Sequence, residues 1–124
     1  MRSLENHLWQ KLGHARLRYS TKKSKVALGV NFTKEQFINW LKNNYDGSCY
    51  YCRISLEEYQ NKKMYKKIKI KGERFGIDRK NNQKGYFLDN IAVSCQICNS
   101  VKSFVFNPEE FKEIAKKYIR KLYA

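Results

Sequence analysis

The chain has 124 residues, with 26 Lys and Arg against 11 Asp and Glu and a formal charge of +15. That is the size of one domain, and it excludes a multidomain assembly. Hydrophobic residues at 42%, aromatics at 15%, six Gly and one Pro exclude a wholly disordered basic tail and require a packed core. A surface this positive concentrates phosphate-bearing ligands, so a polyanion is the expected partner, with nucleic acid first. No apolar run is long enough to span or anchor in a membrane. Met1 to Gln10 includes Glu5 and Asn6 and lacks the apolar centre of a secretory signal, so an intracellular, non-secreted location is expected.

Leu4, Leu8, Leu12 and Ala15 recur at helical spacing with Lys11, Arg16 and Arg18 on other positions, which predicts a basic amphipathic helix from Leu4 to Tyr19. Ser20 to Lys25 has no periodicity and reads as a solvated loop or a phosphate-contacting strap. Thr33 and Gln36 have capping-box spacing, and Phe32 and Phe37 are placed to staple the first turn of a second helix that buries Phe37, Trp40 and Leu41. The Asp46-Gly47 turn then leads into the first cysteines. Ser55 and Glu58 repeat the capping spacing and predict a short helix. Lys62 to Lys71 contains six lysines with Tyr65, Ile68 and Ile70 interleaved, which suggests a basic edge strand.

Two short strands are expected next, from Arg74 to Asp78 and from Ile91 to Ser94, joined by a polar loop containing Gly85-Tyr86. Cys95 to Phe104 should be helical. Asn107-Pro108-Glu109-Glu110 opens a last helix with a cap, a proline at the first position and an acidic first turn. Its expected buried face is Phe111, Ile114, Ala115, Tyr118, Ile119 and Leu122.

The four cysteines form two CxxC pairs, Cys49/Cys52 and Cys95/Cys98, separated by 42 residues. In a reducing compartment this doubled motif points to one closed four-thiolate zinc site in preference to disulfides. Such a site has no open position, so the zinc is structural and any reaction needs other residues. Asp78 ends a predicted strand and Asn99 follows the last cysteine; their oxygens suit a hard divalent cation, although both residues are also common caps.

Cys49-x-x-Cys52, Ile77-Asp78-Arg79, Gly85-Tyr86, Asn90 and Cys95-x-x-Cys98-Asn99 with Lys102 resemble the HNH, or ββα-metal, nuclease family in its four-cysteine form. The resemblance covers approximately residues 31–111. It implies an α+β fold, a small zinc-stabilised ββα-metal domain with flanking helices. One domain over 1–124 is expected, with a basic helix and loop at 1–30, the zinc-stabilised core at 31–111 and a terminal helix at 107–124.

The resemblance further implies Asp78 and Asn99 as ligands of a catalytic Mg²⁺ or Mn²⁺, and Asn90 as the residue bracing the loop. The family's usual base, a histidine, is replaced by Arg79, which stays protonated but can stabilise developing charge on phosphate. Tyr86 becomes the candidate activator of water, or else a packed loop aromatic. Lys62, Lys63, Lys66, Lys67, Lys69 and Lys71 would grip the backbone of double-stranded DNA, with Lys102 at a phosphate. His7 and His14 match no position of the family and read as packing or surface residues. The expected activity is hydrolysis of DNA phosphodiester bonds, in a restriction, homing, phage or viral setting, with a homodimer as the arrangement for cutting two strands. A non-catalytic zinc module binding DNA or RNA is the alternative from charge and cysteines alone.

Overall fold

The computed structural model describes residues 3–21, 30, 32–70, 72–103 and 105–124, leaving aside the side chains of 14–21. Helix α1 runs over Leu4–Thr21 and buries Leu8 and Leu12 completely, as their spacing requires. Ser20 and Thr21 continue this helix, although the sequence placed them in a loop; Lys22 to Lys25, as well as Asn31, Lys71 and Phe104, lie outside the described residues.

Helix α2, Lys34–Asn44, starts at a complete capping box: Thr33 Oγ1 accepts from Gln36 N at 3.2 Å and Gln36 Oε1 accepts from Thr33 N at 2.9 Å. Two of the free amides at the helix start are thereby satisfied, worth about 1 kcal/mol for the hydroxyl cap. Phe32 and Phe37 stack at 6.0 Å between centroids, the expected staple. Phe37 and Leu41 are buried and Trp40 is half-buried against the core.

Over the described residues 62–70 the basic edge strand expected from Lys62 to Lys71 is not formed. Ser55 caps α3, Leu56–Lys62, and after Lys63 in left-handed backbone (φ 52°) the chain makes one more turn, α4, Met64–Lys67. Tyr65 turns inward and stacks on Tyr59 at 5.1 Å, while Lys62, Lys63, Lys66, Lys67 and Lys69 remain exposed. Apolar residues at 65, 68 and 70 do not keep the strict two-residue period of a half-buried strand, and the capped helix prevails.

Strands β1, Gly76–Arg79, and β2, Ile91–Ser94, pair antiparallel with Gly76 opposite Ser94 and Arg79 opposite Ile91. Helix α5, Gln96–Lys102, follows at once and packs on β1. The result is a strand, strand and helix unit. Gly76 permits the close approach: a β-carbon there would stand 3.0 Å from Gln96 Nε2 and 3.6 Å from Asn99 Nδ2.

Helix α6, Pro108–Ile114, begins at the Asn107 cap, whose Oδ1 accepts from Glu110 N at 2.8 Å. It continues as a π-helical turn over Ala115–Ile119 and a 3₁₀ turn over Arg120–Tyr123. The buried face differs from the expected one. Phe111, Ala115, Ile119 and Tyr123 are buried, while Tyr118 is 53% and Leu122 42% exposed. A straight α-helix would rotate residues four apart progressively off one face; the bond from Arg120 N to Ala115 O widens one turn and keeps this set aligned. The core joins these residues to Leu8, Phe37, Tyr51, Tyr59, Phe75 and the four cysteines.

Candidate metal centres and active site

Cys49 and Cys52 lie on a knuckle fixed by Cys49 N bonding Ile54 O at 2.8 Å and Tyr50 N bonding Val93 O at 2.9 Å, the latter tying it to β2. Cys95 is the cap of α5 and Cys98 lies in its first turn. All four thiols are free and buried, and their sulfurs lie within 4.8 Å of one another. Sulfurs about 2.3 Å from one tetrahedral zinc are about 3.8 Å apart; Cys52 Sγ and Cys95 Sγ are 3.9 Å apart, far beyond the about 2.05 Å of a disulfide.

Three groups donate to these sulfurs: Cys95 N to Cys49 Sγ at 3.3 Å, Cys98 N to Cys95 Sγ at 3.4 Å and Tyr123 Oη to Cys95 Sγ at 3.2 Å. Burial pushes the Cys49 thiol up, but hydrogen bonds from the other cysteines outweigh it and hold Cys49 well below the ordinary value. Bonding to the neighbouring sulfurs pushes Cys52 and Cys98 well up. Full ionisation of such a set requires a cation among the sulfurs, and the donor set suits zinc.

Asp78, on β1, is buried to 5% exposure. Its Oδ2 accepts from Tyr51 Oη at 2.5 Å and lies 3.3 Å from Lys102 Nζ. Burial raises the Asp78 carboxyl above the usual range, countered in part by the Tyr51 hydrogen bond and the Lys102 charge. Burial, and then the Asp78 charge, pushes the Tyr51 phenol far up, which keeps it a donor.

Lys102 is a correction. Instead of facing solvent and phosphate, its side chain is fully buried, and Nζ meets Arg79 O at 3.0 Å, Asn82 Oδ1 at 3.1 Å and Asp78. Two of the three ammonium protons have hydrogen-bond acceptors in Arg79 O and Asn82 Oδ1, and the Asp78 carboxylate offsets the charge. The spacing held the signal: residues 95, 98 or 99, and 102 share one face of α5, so the cysteines that turn inward carry Lys102 with them.

Asn90 braces the loop between the strands. Its Oδ1 accepts from Asn81 N at 2.9 Å, and its Nδ2 donates to Asn81 O at 3.0 Å and Gly85 O at 2.9 Å. Arg79 and Tyr86 come together, the guanidinium carbon lying 5.3 Å from the ring centroid, while Arg79 Nη1 also reaches Asn82 O and Lys84 O at 3.3 Å each. Tyr86 pairs in a parallel bridge with Val30. Asn99 is half-buried on α5, beside Gly76.

Two residues the sequence reading did not single out therefore bear on the site: Tyr51, inside the first CxxC, and Tyr123. His7 is half-buried, its Nδ1 3.4 Å from Arg74 Nη1; the side chain of His14 lies outside the described residues. Tyr50 is flanked by Lys112 Nζ at 3.9 Å and Lys80 Nζ at 4.7 Å from its centroid. Among the described residues no helix is long and apolar enough to cross a membrane.

The chain is similar to the rare-cutting HNH restriction endonuclease PacI, with a TM-score of 0.71 and 25% identity, over 94% of this chain and 77% of that one. The fold is that of an HNH nuclease. The HNH fold has α+β architecture, and its ββα unit is here β1, β2 and α5, with the four cysteines clustered beside it. No protein-family profile matches the chain. A second similarity, 33% identity over 95 residues, is to the uncharacterized protein R423 of Acanthamoeba polyphaga mimivirus; it covers 77% of this chain but 14% of that protein. The chain thus spans a small part of that relative's length.

Proposed function

We propose that this protein is a divalent-metal-dependent endonuclease that hydrolyses DNA phosphodiester bonds, with zinc held by Cys49, Cys52, Cys95 and Cys98 and Mg²⁺ or Mn²⁺ held by Asp78 and Asn99. The observation that carries the reading is the HNH fold with Asp78 on β1 and Asn99 on α5, the two elements that pack together. PacI, the similar protein, is a restriction endonuclease.

The sulfur set has the spacing and hydrogen bonds of a closed structural site, which leaves the chemistry to the hairpin. When bound, the second cation polarises the scissile phosphate and stabilises the leaving oxygen. Asp78 and Asn99 supply oxygen ligands for it. Arg79 offers a permanent positive charge to phosphate from the strand end. Tyr86, whose ring lies against the Arg79 guanidinium, activates water in this scheme, although a phenol is a weak base near neutral pH. Asn90 keeps the loop carrying Tyr86 in register. The exposed lysines at 62, 63, 66, 67 and 69 and Lys71 bind the DNA backbone with a salt-dependent affinity. Cutting of both strands uses two copies of the chain, each supplying one site.

The test is nicking of supercoiled plasmid by wild type, Asp78→Ala and Asn99→Ala with Mg²⁺ or Mn²⁺. Loss of transition-state stabilisation by several kcal/mol corresponds to a fall of about 100-fold or more in both variants. Zinc content should be unchanged. Wild-type activity retained in both variants, or DNA binding by wild type with no nicking under either metal, would overturn the catalytic reading in favour of a zinc module that only binds nucleic acid.

A further inference from the structure

Tyr51 sits between Tyr50 and Cys52 in the first cysteine knuckle, and it is fully buried. Its ring is held edge-on by Tyr50 at 5.1 Å and 83° and by Phe111 at 5.1 Å and 76°. The knuckle beneath it is itself fixed, since Tyr50 N bonds to β2 and Arg53 N bonds Cys49 O at 3.1 Å. The phenol therefore has one direction to point, and it meets Asp78 Oδ2.

Lys102 Nζ approaches the same oxygen. The two oxygens of Asp78 are thus in different situations: Oδ2 faces the Tyr51 hydroxyl and the Lys102 ammonium, and among the described residues no donor meets Oδ1, the oxygen left for a cation. A ligating carboxylate that must present one oxygen to a metal gains affinity when the other is held, because less orientational freedom is lost on binding.

We infer that Tyr51 is a positioning residue that couples the four-cysteine cluster to the divalent-cation site, so that a metal among the thiols raises the affinity of Asp78 for its cation. The coupling runs through one short rigid path: the Cys49–Cys52 knuckle, the Tyr51 ring, its hydroxyl and Asp78 Oδ2. Without its metal the knuckle keeps only its backbone hydrogen bonds and ring contacts, so Tyr51 is held less tightly and the donor that orients the carboxylate is less well placed. Reciprocity follows: a cation on Asp78 makes the cysteine-bound metal harder to remove, by the same factor. The inference rests on the proposed cation site, and the experiments separate the two.

Mn²⁺ binding to the zinc-loaded protein, without DNA, is measured by the loss of the free-ion electron paramagnetic resonance signal. Tyr51→Phe keeps the ring between Tyr50 and Phe111 and removes the hydroxyl alone. It is expected to weaken Mn²⁺ binding about tenfold, the lower end of the usual effect of an outer partner of a metal ligand, at unchanged zinc content. Its nicking rate should return toward wild type at saturating Mn²⁺, which a general loss of structure would not permit. A wild-type Mn²⁺ affinity in Tyr51→Phe overturns the inference.

A second measurement needs no variant to fold. Saturating Mg²⁺ should tighten zinc binding by the wild-type protein, measured at equilibrium by competition with a zinc-selective chromogenic chelator, by up to about tenfold; an unaltered zinc affinity overturns the coupling. Asp78→Ala tells the two ideas apart. If it binds Mn²⁺ as tightly as wild type, the cation site itself is misassigned; if it loses binding and Tyr51→Phe does not, the site stands and the coupling fails.

Discussion

The two candidate metal centres share a neighbourhood but are built on opposite plans. The cysteine cluster is closed: four buried sulfurs within 4.8 Å of one another, with further donors from backbone amides and Tyr123. The Asp78 site is half closed, one carboxylate oxygen held by Tyr51 and Lys102 and the other left. Saturation suits a centre that holds structure; a spare oxygen suits one that must exchange water and phosphate. Both plans depend on the same small helix, since α5 carries Cys98, Asn99 and Lys102.

Breaking the closed centre should have the largest effect. Cys98→Ser, or stripping the metal with a chelator, removes a contribution on the order of 10 kcal/mol, as measured for structural zinc in small domains. Thermal melting followed by circular dichroism should then show no cooperative transition.

Lys102→Met sharpens the contrast from the other side. It leaves Asp78 charged, buried and short of its counterion, so a loss of about 3–5 kcal/mol in urea unfolding is expected, with zinc still bound. A loss under 1 kcal/mol would mean that solvent already screens the pair.

Charge on the exposed helices belongs to neither centre and should matter least. Lys66→Gln with Lys67→Gln is expected to leave stability within about 0.5 kcal/mol and to reduce the salt dependence of DNA binding by about one released ion per lysine that touches phosphate. Filter binding across a salt series measures it.

Much of this arrangement is legible in the chain because its causes are local. The Thr33/Gln36 and Asn107/Pro108 signals act within one turn, and the helices begin where those residues stand. The CxxC spacing brings each pair together without reference to the rest of the fold, and the strand at 91–94 has the bounds its apolar run suggests. Misread features have distant causes. Lys102 lies on the inward face that the cysteine spacing marks, but the acceptors that accommodate its charge come from β1 and the following loop, and as a lysine among 26 Lys and Arg it reads as another surface charge. Tyr118 and Leu122 fit an ideal α-helical face, but the π turn shifts burial to Tyr123. The interleaved lysines look strand-like until Tyr65 stacks on Tyr59, a contact that needs α3 already in place.

The Asn90 amide has a consequence for how such a scaffold can change over generations. Three hydrogen bonds from one side chain measure out the stretch between Asn81 and Gly85, so an inserted or deleted residue there would leave buried polar groups without partners. Variation in loop length is the cheapest raw material for new binding preferences. In this molecule it is barred from the hairpin and directed to segments that no single side chain measures.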